Sequence, residues 1–130
     1  QDVAVDRAGR RPEIGLNALP GAEDEAAMDI GSETLRMYRS VLADAETVIL
    51  NGPAGVFEDP MFELGTKELY RAAADVPYSI VGGGDTAAAI RQLGIGGFSH
   101  LSTGGGACLR LLTGRELPAV EALRDGYDGD

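Results

Sequence analysis

The segment "YSIVGGGDTAAAI", from Tyr78 to Ile90, decides the fold that this sequence predicts. A short apolar run, typical of a buried strand, leads into three glycines, and an Asp-Thr pair then opens a helix-like pattern rich in alanine. The same order returns from Ser102 to Leu112 in "STGGGACLRLL", behind another short apolar run. Strand, glycine turn and helix, in this order, are the sequence form of a parallel α/β sheet.

A third unit of the same kind precedes these two. "TVIL" (Thr47–Leu50) is a β-rich apolar run closed by "NGPAG", and a helical pattern follows in "MFELGTKELYRAAAD". Strands this apolar are expected where helices cover both faces of a parallel sheet. We therefore predict a three-layer αβα, Rossmann-like α/β fold. Its right-handed crossovers would bring the glycine turns together at the carboxyl edge of the sheet, where open α/β sheets bind ligands.

The remaining segments give weaker signals. "DVAV" at the start is interpreted as a strand remnant, and the Gly- and Pro-containing stretch over residues 6–21 as a connecting loop. Ser32 is expected to be the N-cap of a helix through "SETLRMYRSVLADAE", with an apolar stripe that includes Leu35, Met37 and Val41. A last short helix, "LPAVEALRD", precedes an acidic tail over residues 126–130.

Composition limits the classes of function. The 130 residues fit one domain, and the net charge is −10, from 21 acidic and 11 basic residues of which only Lys67 is a lysine. So acidic a chain argues against nonspecific binding to nucleic acid or to an anionic membrane. It fits either a surface adapted to a salt-rich cytoplasm or an ordinary acidic protein. No apolar run approaches the roughly 20 residues that span a bilayer, so a soluble protein is expected. Cys108 is the only cysteine, which excludes an internal disulfide and favours a packing role over that of a nucleophile.

The glycine triplets suggest anion binding. Backbone amides at a helix N-terminus lack intrahelical partners, and glycine lets a phosphate approach them without interference from a Cβ. Residues 82–84 and 104–106 are therefore candidate phosphate cradles lying side by side, which suits transfer of a phosphoryl group between two ligands. Each triplet also has a simpler interpretation, as a tight turn with close helix packing.

Four polar residues next to the turns carry open alternatives. Asp85 could hold Mg²⁺ together with nucleotide phosphates, or it could cap the following helix. The Thr86 hydroxyl could reach a phosphate or complete that cap. Glu58 could accept hydrogen bonds from ribose hydroxyls or be a solvated glutamate. His100 lies in a strand-like segment, where a structural histidine is favoured over a general base.

Four linked motifs resemble the C-terminal part of phosphoglycerate kinase. They are "NGPAGVFE", "GTKEL", "SIVGGGDTAAAI" and "SHLSTGGGACLRLLTGRELPAVEAL", in the family's order and spacing, and "MDIGSET" is similar to the segment before the family's helix. Ser32 stands where the family usually has proline, and Leu50 where many members have tryptophan.

The resemblance implies a two-lobed, cytoplasmic and monomeric kinase of glycolysis and gluconeogenesis. It would move a phosphoryl group reversibly between 1,3-bisphosphoglycerate and ADP, giving 3-phosphoglycerate and ATP, with Mg²⁺ as cofactor. Asp85 would be the metal ligand. The residues implied at the nucleotide are Asn51, Pro53, Gly55, Val56, Glu58, Gly83, Gly84, Asp85 and Thr86. The residues implied at the transferring phosphoryl group are Gly84, Gly104, Gly105 and Gly106.

The resemblance also implies that residues 1–130 form only part of the nucleotide-binding, C-terminal domain. The N-terminal lobe, with its basic glycerate pocket, is absent from this sequence. We therefore expect the chain alone to be inactive as a kinase. The alternatives are a stand-alone nucleotide-binding module and an inert fragment.

Overall fold

The computed structural model describes residues 1–19 and 25–126. A single-turn 3-10 helix at Leu16–Ala18 accompanies the strands and α-helices of this part of the chain. In chain order, these are β1 (Asp2–Val5), β2 (Glu13–Gly15), β3 (Ala27–Ile30), α1 (Ser32–Ala43), β4 (Thr47–Asn51), α2 (Leu64–Ala74), β5 (Tyr78–Gly82), α3 (Gly84–Leu93), β6 (His100–Ser102), α4 (Gly105–Leu112) and α5 (Pro118–Asp125). No helix in the described ranges is both long and apolar enough to cross a membrane.

The predicted parallel sheet is present, with strand order β4-β5-β6. Each strand is followed by a helix, and the register aligns the ends of the strands: Asn51 lies beside Gly82, and Gly82 beside Ser102. The α/β class and the position of the turns at one edge are thereby confirmed.

The two faces of this sheet are covered unequally within the chain. Val81 is fully buried and packs with Tyr70 of α2 and Ile90 of α3, so these helices form one outer layer. On the other face α4 approaches only the carboxyl end, where a Cβ at Gly82 would lie 3.6 Å from the Cys108 side chain. Ile49 and Tyr78 are 48% and 52% exposed. The three layers are therefore present, but the expectation that helices cover both faces is met on only one of them.

A second, antiparallel sheet lies N-terminal to the parallel one, with order β2-β1-β3. The sequence predicted only its first strand and assigned residues 6–21 to a loop. That assignment was wrong for β2 and for the 3-10 helix, and β3 was missed. Strands of three or four residues are too short to show a clear alternation of apolar and polar side chains. Residues 20–24 and the tail 127–130 lie outside the described part of the chain.

Helix α1 begins at Ser32, as predicted, but its N-cap position is Gly31. The capping groups come from the antiparallel sheet. The Asp2 carboxylate accepts hydrogen bonds from the backbone N–H groups of Glu33 (3.1 Å) and Thr34 (2.8 Å). Burial by itself would raise the pKa of Asp2, but the N–H groups of Thr34 and Glu33 lower it below the ordinary value of 3.8. A strand thus supplies the cap that Ser32 was expected to provide.

Three side chains differ in exposure from the sequence-based expectation. In the predicted α1 stripe, Leu35 is buried, whereas Met37 and Val41 are 41% and 65% exposed, because no other element within residues 1–19 and 25–126 covers that side of the helix. His100 is exposed on the edge strand β6, so it is not a buried structural histidine.

Candidate functional site

The turns that follow β4, β5 and β6 meet at the carboxyl edge of the parallel sheet. The Gly83 N–H donates a hydrogen bond to the Ser102 carbonyl at 3.1 Å, which ties the second turn to the third. A Cβ placed on Gly105 would lie 2.6 Å from the Gly83 Cα, closer than real Cβ contacts. The second and third turns are therefore in direct backbone contact.

Asn51 lies against both of these turns. Its Oδ1 would be 3.4 Å from a Cβ on Gly83, and its Nδ2 would be 3.4 Å from a Cβ on Gly105. A carboxamide offers both donors and an acceptor. The last residue of β4 thus places a two-sided polar group where the helices α3 and α4 begin.

Both helices begin at a glycine N-cap without a side-chain cap. The N-cap of α3 is Gly83, whose φ of 110° favours glycine, and the N-cap of α4 is Gly104. The first amides of a helix have no intrahelical partner, and they carry the positive end of the helix dipole. A Cβ at Gly84 or Gly106 would meet no atom within 4 Å, so the space in front of both termini is open. The chain therefore has two adjacent helix ends whose first amides are not capped by side chains.

The structure distinguishes the alternatives for Asp85 and Thr86. Asp85 is exposed in the first turn of α3, and the N-cap is Gly83, so Asp85 does not cap the helix. Thr86 is fully buried, accepts a hydrogen bond from Gly52 N–H (2.7 Å) and donates one to the Gly82 carbonyl (2.9 Å). Its hydroxyl therefore joins the turn after β4 to the end of β5.

Two more side chains that the sequence analysis did not select hold the turn after β4. The Thr66 hydroxyl, fully buried in α2, accepts hydrogen bonds from the N–H groups of Ala54 and Gly55, both at 3.1 Å. The Tyr70 hydroxyl donates to the Gly52 carbonyl at 3.0 Å. Burial raises the pKa of Tyr70, which keeps this donor protonated. No local motif identifies these two residues, since their partners lie 11 to 18 positions away in the chain.

A groove of about 280 Å³ lies between this turn and strand β3. The Val56 N–H donates to the Met28 carbonyl at 2.8 Å, which joins the two walls at one point. One wall contains Pro53, Gly55 and Val56, which the resemblance implied at the nucleotide, and the other contains β3, which the sequence did not predict. The residues around the groove are Val3, Ala27, Met28, Asp29, Ile30, Pro53, Ala54, Gly55 and Val56.

Glu58 is exposed in the turn that continues from this groove. Its neighbour Phe57 is buried in the core, and the Phe57 carbonyl accepts a hydrogen bond from Gln92 Nε2 of α3 at 3.0 Å. The turn is thereby anchored on both the core and a helix, with Glu58 at its exposed surface.

The arginines of α3 and α4 lie away from the glycine turns. Arg91 and Arg110 lie in the last turns of α3 and α4, at the opposite ends from the amides. Within residues 1–19 and 25–126, no group of three or more His, Cys, Asp or Glu side chains is arranged to hold a metal ion.

An open parallel α/β sheet with two adjacent, glycine-led helix ends at its carboxyl edge defines a class of proteins that bind phosphate-bearing ligands. Comparison with known families makes the assignment specific. The family described as phosphoglycerate kinase matches residues 2–115. This chain belongs to the phosphoglycerate kinase family.

Known relatives agree with this assignment. The phosphoglycerate kinase of Halobacterium salinarum is 62% identical over 123 residues, which are 95% of this chain and 31% of the relative. That of Natronomonas pharaonis is 58% identical over 127 residues, covering 96% of this chain and 32% of the relative. The crystal structure of phosphoglycerate kinase from Pyrococcus horikoshii superposes with a TM-score of 0.84 at 44% identity, covering 98% of this chain and 32% of that one. The chain thus spans about a third of the length of these relatives, which include proteins of halophilic archaea.

Proposed function

We propose that this chain is the nucleotide-binding part of a kinase that transfers a phosphoryl group reversibly between 1,3-bisphosphoglycerate and ADP. The observation that carries the proposal is the backbone contact between Gly83 and Gly105, which brings two anion-binding helix ends together. Two phosphate groups held this closely can exchange a phosphoryl group between them. In the forward direction the bond from phosphorus to the acyl oxygen breaks, and a bond to the β-phosphate oxygen of ADP forms.

The nucleotide would lie along the edge of the sheet. The groove beside Val56 and Met28 would take the base, because its walls combine apolar side chains with backbone polar groups. The exposed carboxylate of Glu58 would accept hydrogen bonds from the ribose hydroxyls. The amides of Gly84, Asp85 and Thr86 at the start of α3 would then bind the phosphates.

The residues at the start of α3 also fit a magnesium ion. Mg²⁺ is usually held by one or two carboxylates together with substrate phosphates and water. Asp85 supplies one exposed carboxylate, next to amides that favour phosphate. When bound, the ion would offset the negative charge of the phosphates. Asp85 would orient it, and the amides of α3 would fix the phosphate oxygens.

The start of α4 would stabilise the phosphoryl group during transfer. Gly105 and Gly106 present backbone amides next to the α3 site, and Gly104 leads into them without a side-chain cap. Phosphoryl transfer depends mainly on positioning and on neutralising charge, so it does not require a protein base here. These glycines act through their backbone and through the space that they leave open.

The other parts of the reaction would come from outside this chain. We propose that residues 1–130 belong to the C-terminal domain of a cytoplasmic, monomeric two-lobed kinase whose N-terminal lobe binds the glycerate. The two proteins from halophilic relatives and the net charge of −10 support a salt-adapted surface.

The test is the variant Asp85→Ala in the complete kinase chain that carries this segment. We expect kcat for ATP formation to fall by about a hundredfold or more, as when a preorganised electrostatic contact is lost, and the Mg²⁺ dependence of ADP binding to weaken. The matched control is Asp75→Ala, which removes an exposed aspartate at the C-terminal end of α2. It should leave kcat and the Mg²⁺ dependence of ADP binding unchanged. Full turnover by Asp85→Ala, with unchanged Mg²⁺ dependence, would contradict the proposal.

A further inference from the structure

Asp29, at the third position of β3, is a buried carboxylate outside the glycine turns. Its side chain has no exposed surface. One oxygen accepts the Ile30 N–H at 2.8 Å, and the other accepts both the Gly65 N–H at 2.8 Å and Arg11 Nη2 at 3.0 Å. Both oxygens are therefore occupied, which excludes a role for Asp29 as an open ligand.

The carboxylate is wedged between two other elements. A Cβ on Gly55 would lie 2.3 Å from Asp29 Oδ1, and a Cβ on Gly65 would lie 2.1 Å from the same oxygen. Gly65 is in the first turn of α2, and Gly55 is in the turn after β4. Both glycines thus leave room for the carboxylate itself, and Asp29 serves as a remote cap for α2 while it touches the turn.

These contacts set the distance between the two walls of the groove. Asp29 belongs to the β3 wall, and Gly55 belongs to the opposite wall. Arg11 Nη2 donates two hydrogen bonds to β3, one to the Asp29 carboxylate and one to the Ile30 carbonyl, both at 3.0 Å. Asp29 therefore helps to set the width of the groove, together with the hydrogen bond from Val56 N–H to the Met28 carbonyl.

We propose that Asp29 is a positioning residue for the base of the nucleotide, acting through the width of this groove. The inference rests on the proposed nucleotide-binding function and deepens it. Asp29 does not contact the start of α3, where the phosphates would bind. A change at Asp29 therefore affects the base end of the ligand and leaves the phosphate end intact.

The variant Asp29→Asn tests this in the complete kinase chain. An amide has the same shape as a carboxylate but only one accepting oxygen. The hydrogen bonds that one of the two Asp29 oxygens now accepts must therefore be lost. Two ligands are titrated in the presence of Mg²⁺: ADP, which has a base, and inorganic tripolyphosphate, which has none. We expect the Kd of ADP to rise about tenfold, the equivalent of one charge-assisted hydrogen bond, and the Kd of tripolyphosphate to stay unchanged.

Asp44→Asn is the matched control, since Asp44 is exposed at the end of α1, and both Kd values should stay at the wild-type level. If Asp29→Asn does not fold, Arg11→Gln replaces it, because this change removes one contact of the carboxylate and leaves its two backbone hydrogen bonds. It should weaken ADP binding in the same selective way, by a smaller factor.

Three results would overturn the inference. The first is wild-type ADP affinity in the variant that folds. The second is an equal loss for ADP and tripolyphosphate, which would assign Asp29 to general stability. The third is a wild-type chain that binds neither ligand, which would instead contradict the proposed function and leave no base to position.

Discussion

The absence of a side chain at Gly105 has a specific structural reason. A methyl group there would overlap the backbone of Gly83, with 2.6 Å to its Cα and 2.9 Å to its nitrogen. Backbone cannot move aside as the end of a flexible side chain can. The two helix ends would have to separate, and this would disturb both proposed anion sites at once.

We therefore predict that Gly105→Ala lowers the free energy of unfolding of the complete kinase by about 1–3 kcal/mol, the usual cost of overpacking. Gly106→Ala is the control, because it makes the same change one residue later, where no atom lies within 4 Å. It should keep or slightly raise stability, since alanine is favoured over glycine inside a helix. Chemical denaturation measures both, and equal stability of the two variants would contradict the close contact.

Glu58 gives a second prediction at this scale, about the sugar. If its carboxylate binds both ribose hydroxyls, the wild-type kinase should prefer ADP to 2′-deoxy-ADP. Charge-assisted hydrogen bonds contribute about 1.5–3 kcal/mol, so Glu58→Ala should raise the KM for ADP roughly tenfold or more and reduce that preference. Glu46→Ala, an exposed glutamate at the other end of β4, should change neither. Equal handling of the two sugars by the wild type would refute the assignment.

Some residues of the candidate site could be predicted from the sequence, and others could not. Asn51, Gly83 and Asp85 lie at or within three residues of the end of a strand, so their position at the sheet edge was predictable from order along the chain. Thr66, Tyr70 and Asp29 act on atoms 11 to 36 positions away, and only the tertiary structure reveals those partners. For the Thr86 hydroxyl the sequence left a phosphate and the helix cap as alternatives, and its contacts with Gly52 and Gly82 were not foreseeable from the local sequence.

At the scale of elements, α1 depends on another element for its cap. Asp2 in β1 binds two backbone N–H groups of the helix, and Thr34 returns the contact by donating its hydroxyl to the Asp2 carbonyl at 2.8 Å. The helix and the antiparallel sheet are thereby joined through one charged residue. The two hydrogen bonds to the Asp2 carboxylate are stronger when Asp2 is ionised than when it is protonated.

The sign of the pH effect follows from the lowered pKa of Asp2 in the folded state. Its stabilisation is fully present above the ordinary pKa of 3.8 and is lost as the pH falls through the lower folded value. We expect Asp2→Asn to cost about 1 kcal/mol near neutral pH, as for the loss of a helix cap, and progressively less below pH 3.8. Denaturant titrations of both proteins over this range measure the difference, with Asp44→Asn as control. A difference that does not change with pH would exclude the charged cap.

The parallel sheet was predictable because each strand, turn and helix repeats one local pattern. The antiparallel sheet was not, because its strands β2 and β3 are three and four residues long and pair only with β1. Pairing of this kind depends on residues distant in sequence. The cap of α1 was misassigned for the same reason, since Ser32 has the local signature of an N-cap and the actual partner is 31 to 32 positions upstream.

At the scale of the whole molecule, the chain leaves apolar surface uncovered. Ile49 and Tyr78 on the parallel sheet and Val41 on α1 are 48%, 52% and 65% exposed. The chain also corresponds to about a third of the length of its relatives. Both facts fit a unit that performs its function as part of a larger protein.

We predict that the 130-residue chain alone does not form ATP from ADP and 1,3-bisphosphoglycerate. The transferring group needs cations beside the metal, and Arg91 and Arg110 lie at the far ends of α3 and α4. A coupled assay at low and at molar salt measures this, with the complete kinase as the positive control. Adding a separately prepared upstream part should restore activity if the two parts dock. Turnover by the purified chain alone would show that the cations of the other lobe are dispensable.

The turn after β4 has a kinetic consequence. Gly52 is held on both sides of its Cα, since its N–H donates to the Thr86 hydroxyl and its carbonyl accepts from the Tyr70 hydroxyl. The Thr66 hydroxyl accepts from the N–H groups of Ala54 and Gly55 in the same turn. A loop fixed in this way has no conformational freedom left to lose when a ligand arrives. For the proposed nucleotide site we therefore expect binding without a slow ordering phase, and slower association in variants that loosen the turn.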